Sequence, residues 1–351
     1  MHALTVAPGR ENSMRVETLA DPEPAGGELL VEGLLLGVCG TDREIVSGAH
    51  GAAPPGRERL VLGHESLGRV REAPPGSGFA PGDLVAGVVR RPDPEPCGAC
   101  ARGQFDMCRN GRYTERGIKE LDGFGSTAWT VDPAYAVRVD PALERVGVLT
   151  EPASVVAKAW EQVTRIGERA WFEPRSVLVT GAGPIGLLAA LLGRQRGLEV
   201  HVLDQVERGA KPELVRLLGA AYHSADAAEV LRRVRPDVVI EATGAPAVAF
   251  EAMIGLEAYG VLCLTGVSPG RTLRLDAGAL NRELVLENSA VVGSVNANRT
   301  HFADAAGALA AADREWLDRV ITRRLPLDRF AEAFEPDPEG VKTVLELTPR
   351  G

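Results

Sequence analysis

The chain has 351 residues, 45% of them hydrophobic and 25% charged, an ordinary globular composition and long enough for two domains without staples. Its formal net charge of -9 argues against a nucleic-acid or anionic-membrane surface, which needs clustered Lys and Arg. No run approaches the roughly 18 apolar residues of a membrane span, and no basic segment leads into an apolar core at the start, so a cytoplasmic protein acting on a small molecule is expected.

The first half reads as short β segments over 28–36, 60–62, 66–72 and 84–89, broken by Pro54-Pro55, Pro74-Pro75 and Pro81-Gly82. Gly37-Val-Cys-Gly-Thr-Asp42 sets Cys39 in a glycine-flanked loop after a strand. Gly63-His-Glu-Ser-Leu-Gly68 sets His64 and Glu65 side by side. Alone, each is weak, because a lone cysteine is usually a small buried residue and a lone His a surface or satisfied core group. Thiolate, imidazole and carboxylate are nevertheless all proper zinc ligands. Five cysteines are present, Cys39, Cys97, Cys100, Cys108 and Cys263. Three of them form C-x₂-C-x₇-C, and in a reducing compartment that clustering favours a metal over disulfides. Cys263 sits in an apolar strand and reads as core.

From about Glu151 the pattern turns to apolar runs over 176–180, 199–203, 238–241 and 261–264 alternating with Ala- and Leu-rich helical stretches, the mark of βαβ units and a parallel sheet. The first run leads into Gly181-Ala-Gly-Pro-Ile-Gly186 and a helix over 187–196, so the glycine motif has the strand, loop and helix order that dinucleotide binding needs. Gly181 allows the tight turn, Gly183 lets the backbone approach a pyrophosphate and Gly186 lets helix and strand pack closely, with the helix N-terminus facing the phosphates and Pro184 and Ile185 of the same loop as further cofactor-binding candidates. Asp204 ends the second strand, where a carboxylate accepts both ribose hydroxyls and repels a 2′-phosphate, so NAD is expected over NADP. Arg208 and Lys211 follow closely, where they either soften that preference or are solvated first-turn residues, the latter being the expected reading. Thr243 and Asn296 complete the cofactor-binding candidates. The tail carries a helix over 302–311 and is expected to return to the β body. The expected architecture is α/β: residues 1–165 and 300–351 form a mainly-β, irregular-barrel catalytic domain with a cysteine lobe at about 92–112, and 166–299 form a Rossmann doubly wound parallel-sheet domain.

Gly-Val-Cys-Gly-Thr-Asp with Gly-His-Glu, followed by Gly-Ala-Gly-Pro-Ile-Gly, resembles the zinc-dependent medium-chain dehydrogenase family over nearly the whole chain. Gly117 to Phe124, Thr150-Glu-Pro152 with Lys158, and Val292 to Asn296 with His301-Phe302 are similar to its glucose dehydrogenase branch. The resemblance implies a catalytic zinc bracketed by Cys39, His64 and Glu65, with Glu151 completing or approaching the shell. Thr41 would position or relay the substrate proton, so Thr41, Glu65 and Glu151 are the catalytic candidates. It also implies a structural zinc in the lobe. There Cys97, Cys100 and Cys108 match three of four family cysteines and Pro94 takes the place of the fourth, leaving Asp93 as the candidate fourth ligand and Glu95, Asp106 or a later carboxylate as alternatives.

Glu115 and Asn296 match the branch's sugar-binding polar groups, whereas Val89, Val155 and Leu286 stand where it carries hydrogen-bonding ones. Glucose is thus the default substrate, with a deoxysugar, an aminocyclitol or a less polar secondary alcohol or ketone as alternatives. A zinc-free enone or quinone reductase of the same fold is the reading from another class. A homodimer or homotetramer is expected by the same resemblance.

Overall fold

The computed structural model describes residues 1–268, 270 and 272–348. The chain divides into two compact units, one of residues 1–154 with the segment from 296 onward, the other of residues 155–295. The first division thus falls inside the helix Thr150–Gly167 rather than at 165, and the second at 295/296 rather than 299/300.

In the first unit the ten-residue strand Leu29–Val38 is the spine. Its alternating buried residues fit a sheet with one face on the core. It pairs antiparallel with Glu65–Glu72, Ala128–Val131 and Thr343–Glu346 within a seven-stranded sheet that also contains Leu84–Gly87, Ala136–Val139 and Arg323–Pro326. The register decides what meets at its C-terminal end: Gly37 lies opposite Glu65, and Val38 opposite Thr343. Cys39 follows directly, so residues far apart in sequence converge on one point. Two three-stranded sheets flank this framework, His2–Val6 with Arg15–Thr18 and Leu60–Val61, and Arg90–Arg91 with Thr114–Arg116 and Glu120–Leu121. The tail helix runs Arg299–Ala310, and Asn298 caps it by accepting from the backbone N–H groups of Thr300 and His301.

The second unit is a six-stranded parallel sheet in the order Ala221–His223, Glu199–Leu203, Ser176–Thr180, Val238–Glu241, Val261–Leu264, Ala290–Gly293. In chain order that is 3-2-1-4-5-6, the doubly wound arrangement whose ligand crevice lies beyond the carboxyl ends of the strands. Leu178, Val239 and Leu262 pack against Val230, Leu231 and Leu256, and this burial selects continuous apolar strands.

Candidate metal centre and dinucleotide site

Cys39 is the N-cap of the short helix Gly40–Val46, and its backbone N–H donates to Asp42 Oδ2 at 2.9 Å. Its Sγ lies 3.2 Å from Nε2 of His64, which enters from the loop ahead of Glu65–Glu72. One ligand atom from each of Cys39, His64 and Glu65 falls within 4.8 Å of the other two. Tetrahedral zinc, with bonds of about 2.0–2.3 Å, fits inside such a triangle. Space for Glu65 comes from the residue across the ladder: a Cβ at Gly37 would stand 1.9 Å from Glu65 Oε2, so a larger residue there would displace the Glu65 carboxylate from its place beside Cys39 and His64.

Two residues that sequence reasoning did not assign complete the surroundings. Asp42 is buried and sets Oδ1 3.2 Å from His64 Nδ1, without the alignment of a straight hydrogen bond. A carboxylate on Nδ1 favours the tautomer that leaves the Nε2 lone pair free for a metal. Lys342 is fully buried, ion-paired with Glu65, and donates from Nζ to Val38 O at 3.0 Å. Asp42 belongs to the quoted Gly-Thr-Asp motif and was legible as a partner; Lys342 had no local signal.

Burial pushes the Cys39 thiol up, and facing His64 offsets this only partly. Burial alone would lower His64, but the Asp42 carboxylate and Cys39 hold it well above its ordinary value. Asp42 is disfavoured by burial yet lowered by His64 and the Cys39 N–H. The centre is thus a cage of paired charges, Asp42 Oδ1 facing His64 Nδ1 and Lys342 facing Glu65, around the clustered thiol, imidazole and carboxylate donors of Cys39, His64 and Glu65, a donor set whose chemistry fits zinc. Glu151 stands outside the trio in the first turn of Thr150–Gly167. Desolvation, with Glu65 adding to it and His64 opposing it, pushes its carboxyl up to about 7. Thr41 is half-buried in the first turn beside Cys39.

In the lobe, the sulfurs of Cys97, Cys100 and Cys108 also lie within 4.8 Å of one another. Cys97 accepts from the Arg109 backbone N–H at 3.5 Å, and that bond, joined by further backbone N–H groups, lowers its thiol to about 6. Three thiols with one already biased to thiolate suit zinc. Asp93 does not join them. Its Oδ1 accepts from the Glu95 N–H at 2.8 Å and its Oδ2 from Arg112 Nε at 3.3 Å, so the carboxylate expected as fourth ligand is occupied elsewhere. Neither Glu95 nor Asp106 enters the group.

Glu115 and Asn296 meet: Asn296 Nδ2 donates to Glu115 Oε1 at 2.6 Å. Arg90, unassigned from sequence, donates to the same oxygen from Nε and Nη2, each at 3.0 Å. Of the residues expected to change the substrate lining, Val89 instead packs in the hydrophobic core at 3% exposure. Val155 is half-buried and Leu286 is exposed at the end of the helix Ala277–Leu286.

In the second unit, Gly181 adopts a φ of +93°, and a Cβ at Gly186 would lie 1.8 Å from Gly181 O. A Cβ at Gly183, the N-cap of Pro184–Gln195, would meet nothing within 4 Å, so its backbone faces open space ahead of the helix N-terminus. Gly181, Gly183, Asp204, Lys211 and Thr243 line a cavity of about 600 Å³. Asp204 is already engaged: Oδ2 accepts from the Ala182 N–H at 2.6 Å and Oδ1 from the Val206 N–H at 3.0 Å, with Lys211 Nζ 3.9 Å away. Fully buried Glu241 was unassigned; it accepts from the N–H groups of Thr243 at 2.8 Å and Gly244 at 3.1 Å, and so fixes the turn that carries the cavity residue Thr243. Among the described residues, no helix is long and apolar enough to cross a membrane.

A doubly wound dinucleotide fold joined in one chain to a β unit carrying a thiol, imidazole and carboxylate donor set defines a zinc-dependent dehydrogenase of the medium-chain type. Residues 144–347 match the family described as glucose dehydrogenase C-terminus, and residues 25–141 match the alcohol dehydrogenase GroES-like domain. The chain is 40% identical to a glucose 1-dehydrogenase of Methanocella arvoryzae and 39% identical to one of Thermoproteus tenax, in each case over 99% of both proteins. The glucose dehydrogenase of Haloferax mediterranei, solved with NADP, zinc and gluconolactone, superposes with a TM-score of 0.91 at 34% identity, covering all of both chains. The chain belongs to the glucose dehydrogenase family of zinc-dependent medium-chain dehydrogenases. It is a zinc-dependent, nicotinamide-linked oxidoreductase acting on CH–OH, and a zinc-free reductase is set aside. The NAD preference read from Asp204 finds no support in these comparisons.

Proposed function

We propose that the enzyme oxidises C1 of an aldose, glucose being the first candidate, to its lactone, passing hydride to the nicotinamide and releasing one proton. The observation that carries this reading is the buried Cys39, His64 and Glu65 donor set, in a chain aligned over its full length with glucose 1-dehydrogenases. Zinc, when bound there, polarises the substrate oxygen as a Lewis acid. The chain's own groups do the rest. Asp42 holds His64 in the tautomer that offers Nε2. Lys342 balances Glu65, and the Thr41 hydroxyl hands the substrate proton outward. Glu151 approaches the same centre. Glu115 accepts a hydrogen bond from a sugar hydroxyl. In the lobe, Cys97, Cys100 and Cys108 would hold a structural zinc.

For the cofactor we propose NADP alongside NAD. Asp204 spends one lone pair of each oxygen on loop N–H groups, and Lys211 in the same cavity supplies a cation for a 2′-phosphate. The exposed edge strand Ala290–Gly293, with Val291, Val295 and Leu286 uncovered, suits pairing with a second copy of the chain. A panel of glucose, other aldoses, deoxysugars, an aminocyclitol and simple secondary alcohols, each with NAD and NADP followed by absorbance of the reduced cofactor, tests substrate and cofactor together. Glucose is expected to give the highest kcat/KM; a higher value for a less hydroxylated alcohol would overturn the sugar assignment.

A further inference from the structure

The three donors on Glu115 converge on one carboxylate oxygen. Arg90 supplies two at 3.0 Å and Asn296 the third at 2.6 Å, all to Oε1. Oε2 accepts no hydrogen bond from the described residues and keeps some solvent access, on a side chain only 11% exposed. A carboxylate with one oxygen tied three ways cannot rotate, and its other oxygen becomes an acceptor of fixed direction.

Arg90 is itself fixed. Its Nη1 donates to Asp106 O at 2.9 Å, and its guanidinium carbon sits 3.7 Å from the centroid of the Tyr113 ring. Asp106 in turn accepts from Asn298 Nδ2 at 2.9 Å, and Asn298 caps Arg299–Ala310. Asn296 is held at a φ of +63°, a left-handed conformation that Asn tolerates better than most residues, and its own Oδ1 accepts from the Ala297 N–H at 2.7 Å. The turn after Glu115 packs on the metal-bearing loop: a Cβ at Gly117 would lie 2.4 Å from the carbonyl oxygen of Gly63, the residue before His64.

We infer that Arg90 is a specificity-determining positioning residue. By immobilising Oε1 of Glu115 it aims Oε2 at one hydroxyl of the sugar, so that the enzyme distinguishes a sugar carrying that hydroxyl from one lacking it. Planar guanidinium geometry is essential to the arrangement, because Nε and Nη2 both bind one oxygen while Nη1 turns to Asp106 O; a lysine ammonium has no such fork. The inference rests on the sugar-dehydrogenase reading above.

The test compares kcat and KM for glucose and for each of its monodeoxy derivatives, at saturating NADP, in the wild type, Arg90→Met, Arg90→Lys, Asn296→Ala and Glu115→Gln. The wild type is expected to reject one deoxyglucose by about tenfold or more, the effect of leaving a charged acceptor unpaired. Arg90→Met should reduce that rejection to about twofold, with the change falling on the KM for sugar rather than on the KM for NADP. Arg90→Lys should restore the discrimination only in part, and combining Arg90→Met with Glu115→Gln should cost no more than the larger single effect. A purely structural staple would lower thermal stability and leave the discrimination alone. Wild-type discrimination in a folded, zinc-loaded Arg90→Met enzyme would therefore overturn the inference. Should Arg90→Met fail to fold, Arg90→Lys and Asn296→Ala decide in the same way, since each removes donors from Oε1 while keeping the carboxylate. A wild type that oxidises none of these sugars overturns the functional reading itself, an outcome distinct from retained discrimination.

Discussion

The glycine loop separates two costs that are usually confused, the cost of packing and the cost of ligand approach. In Gly186→Ala the new methyl would stand 1.8 Å from Gly181 O and 2.9 Å from its carbonyl carbon. The obstacle is backbone, so no side chain can rotate away. That backbone is anchored by Gly181 N–H to Leu203 O at 2.7 Å and by Ala182 N–H to Asp204 at 2.6 Å. Overpacking of well-filled sites costs about 1–3 kcal/mol, and this contact belongs at the upper end. In Gly183→Ala the methyl meets nothing within 4 Å and φ is -78°, so the only structural cost is the N-cap preference for Gly over Ala, about 0.5–1 kcal/mol. The same methyl stands where a dinucleotide pyrophosphate must approach, so affinity should fall at least about tenfold. Urea denaturation read by fluorescence, together with NADPH titration, measures both quantities. Gly186→Ala should be destabilised and Gly183→Ala near wild type in stability but weak in binding. A Gly183→Ala protein with wild-type NADPH affinity would refute the placement of the pyrophosphate.

Other outcomes follow from the metal centre and the thiols. Asp42→Asn should weaken zinc binding by about 10–100-fold, measured by competition with a chelator, because the His64 ring loses its orienting charge. Lys342→Met strands the Glu65 carboxylate in a buried site and should cost about 3–5 kcal/mol in metal-free protein, less with zinc bound. Cys97, lowered to about 6, is mostly thiolate at neutral pH and should be the fastest cysteine to alkylate in chelator-treated protein. Its rate should climb as pH rises through about 6 and then level. Cys263, pushed up to about 12 chiefly by burial, should stay unmodified until the protein unfolds, as peptide mapping by mass spectrometry would record.

What the sequence disclosed depended on whether the signal was local. Buried parallel strands are short apolar runs between helices, and 176–180, 199–203, 238–241 and 261–264 appear in the structure at those limits. The edge strands Ala221–His223 and Ala290–Gly293 carry three and four residues with mixed exposure, too little for a pattern to emerge. Cys39, His64 and Glu65 were legible because glycines set them in short motifs. Lys342 was not, since it reaches the carbonyl of Val38 across 304 residues through strand register alone. Arg90 carried no assignment from the sequence, yet it is buried against Glu115 and Asp106, a fate that only tertiary pairing decides. Asp93 went the other way: its place beside Pro94, where the family pattern has its missing cysteine, made it a ligand candidate, while Arg112 and the Glu95 N–H engage its oxygens apart from the three thiols.

The central claim is that zinc held by Cys39, His64 and Glu65 performs sugar oxidation, and Cys39→Ser tests it most directly. Zinc content, NADPH affinity and glucose-dependent cofactor reduction would be measured on one preparation of the variant and of the wild type. The variant should bind NADPH as the wild type does, lose zinc from this site and show a rate lower by at least about a thousandfold, the scale of several kcal/mol of Lewis-acid stabilisation. Undiminished turnover in the zinc-depleted variant would contradict the account.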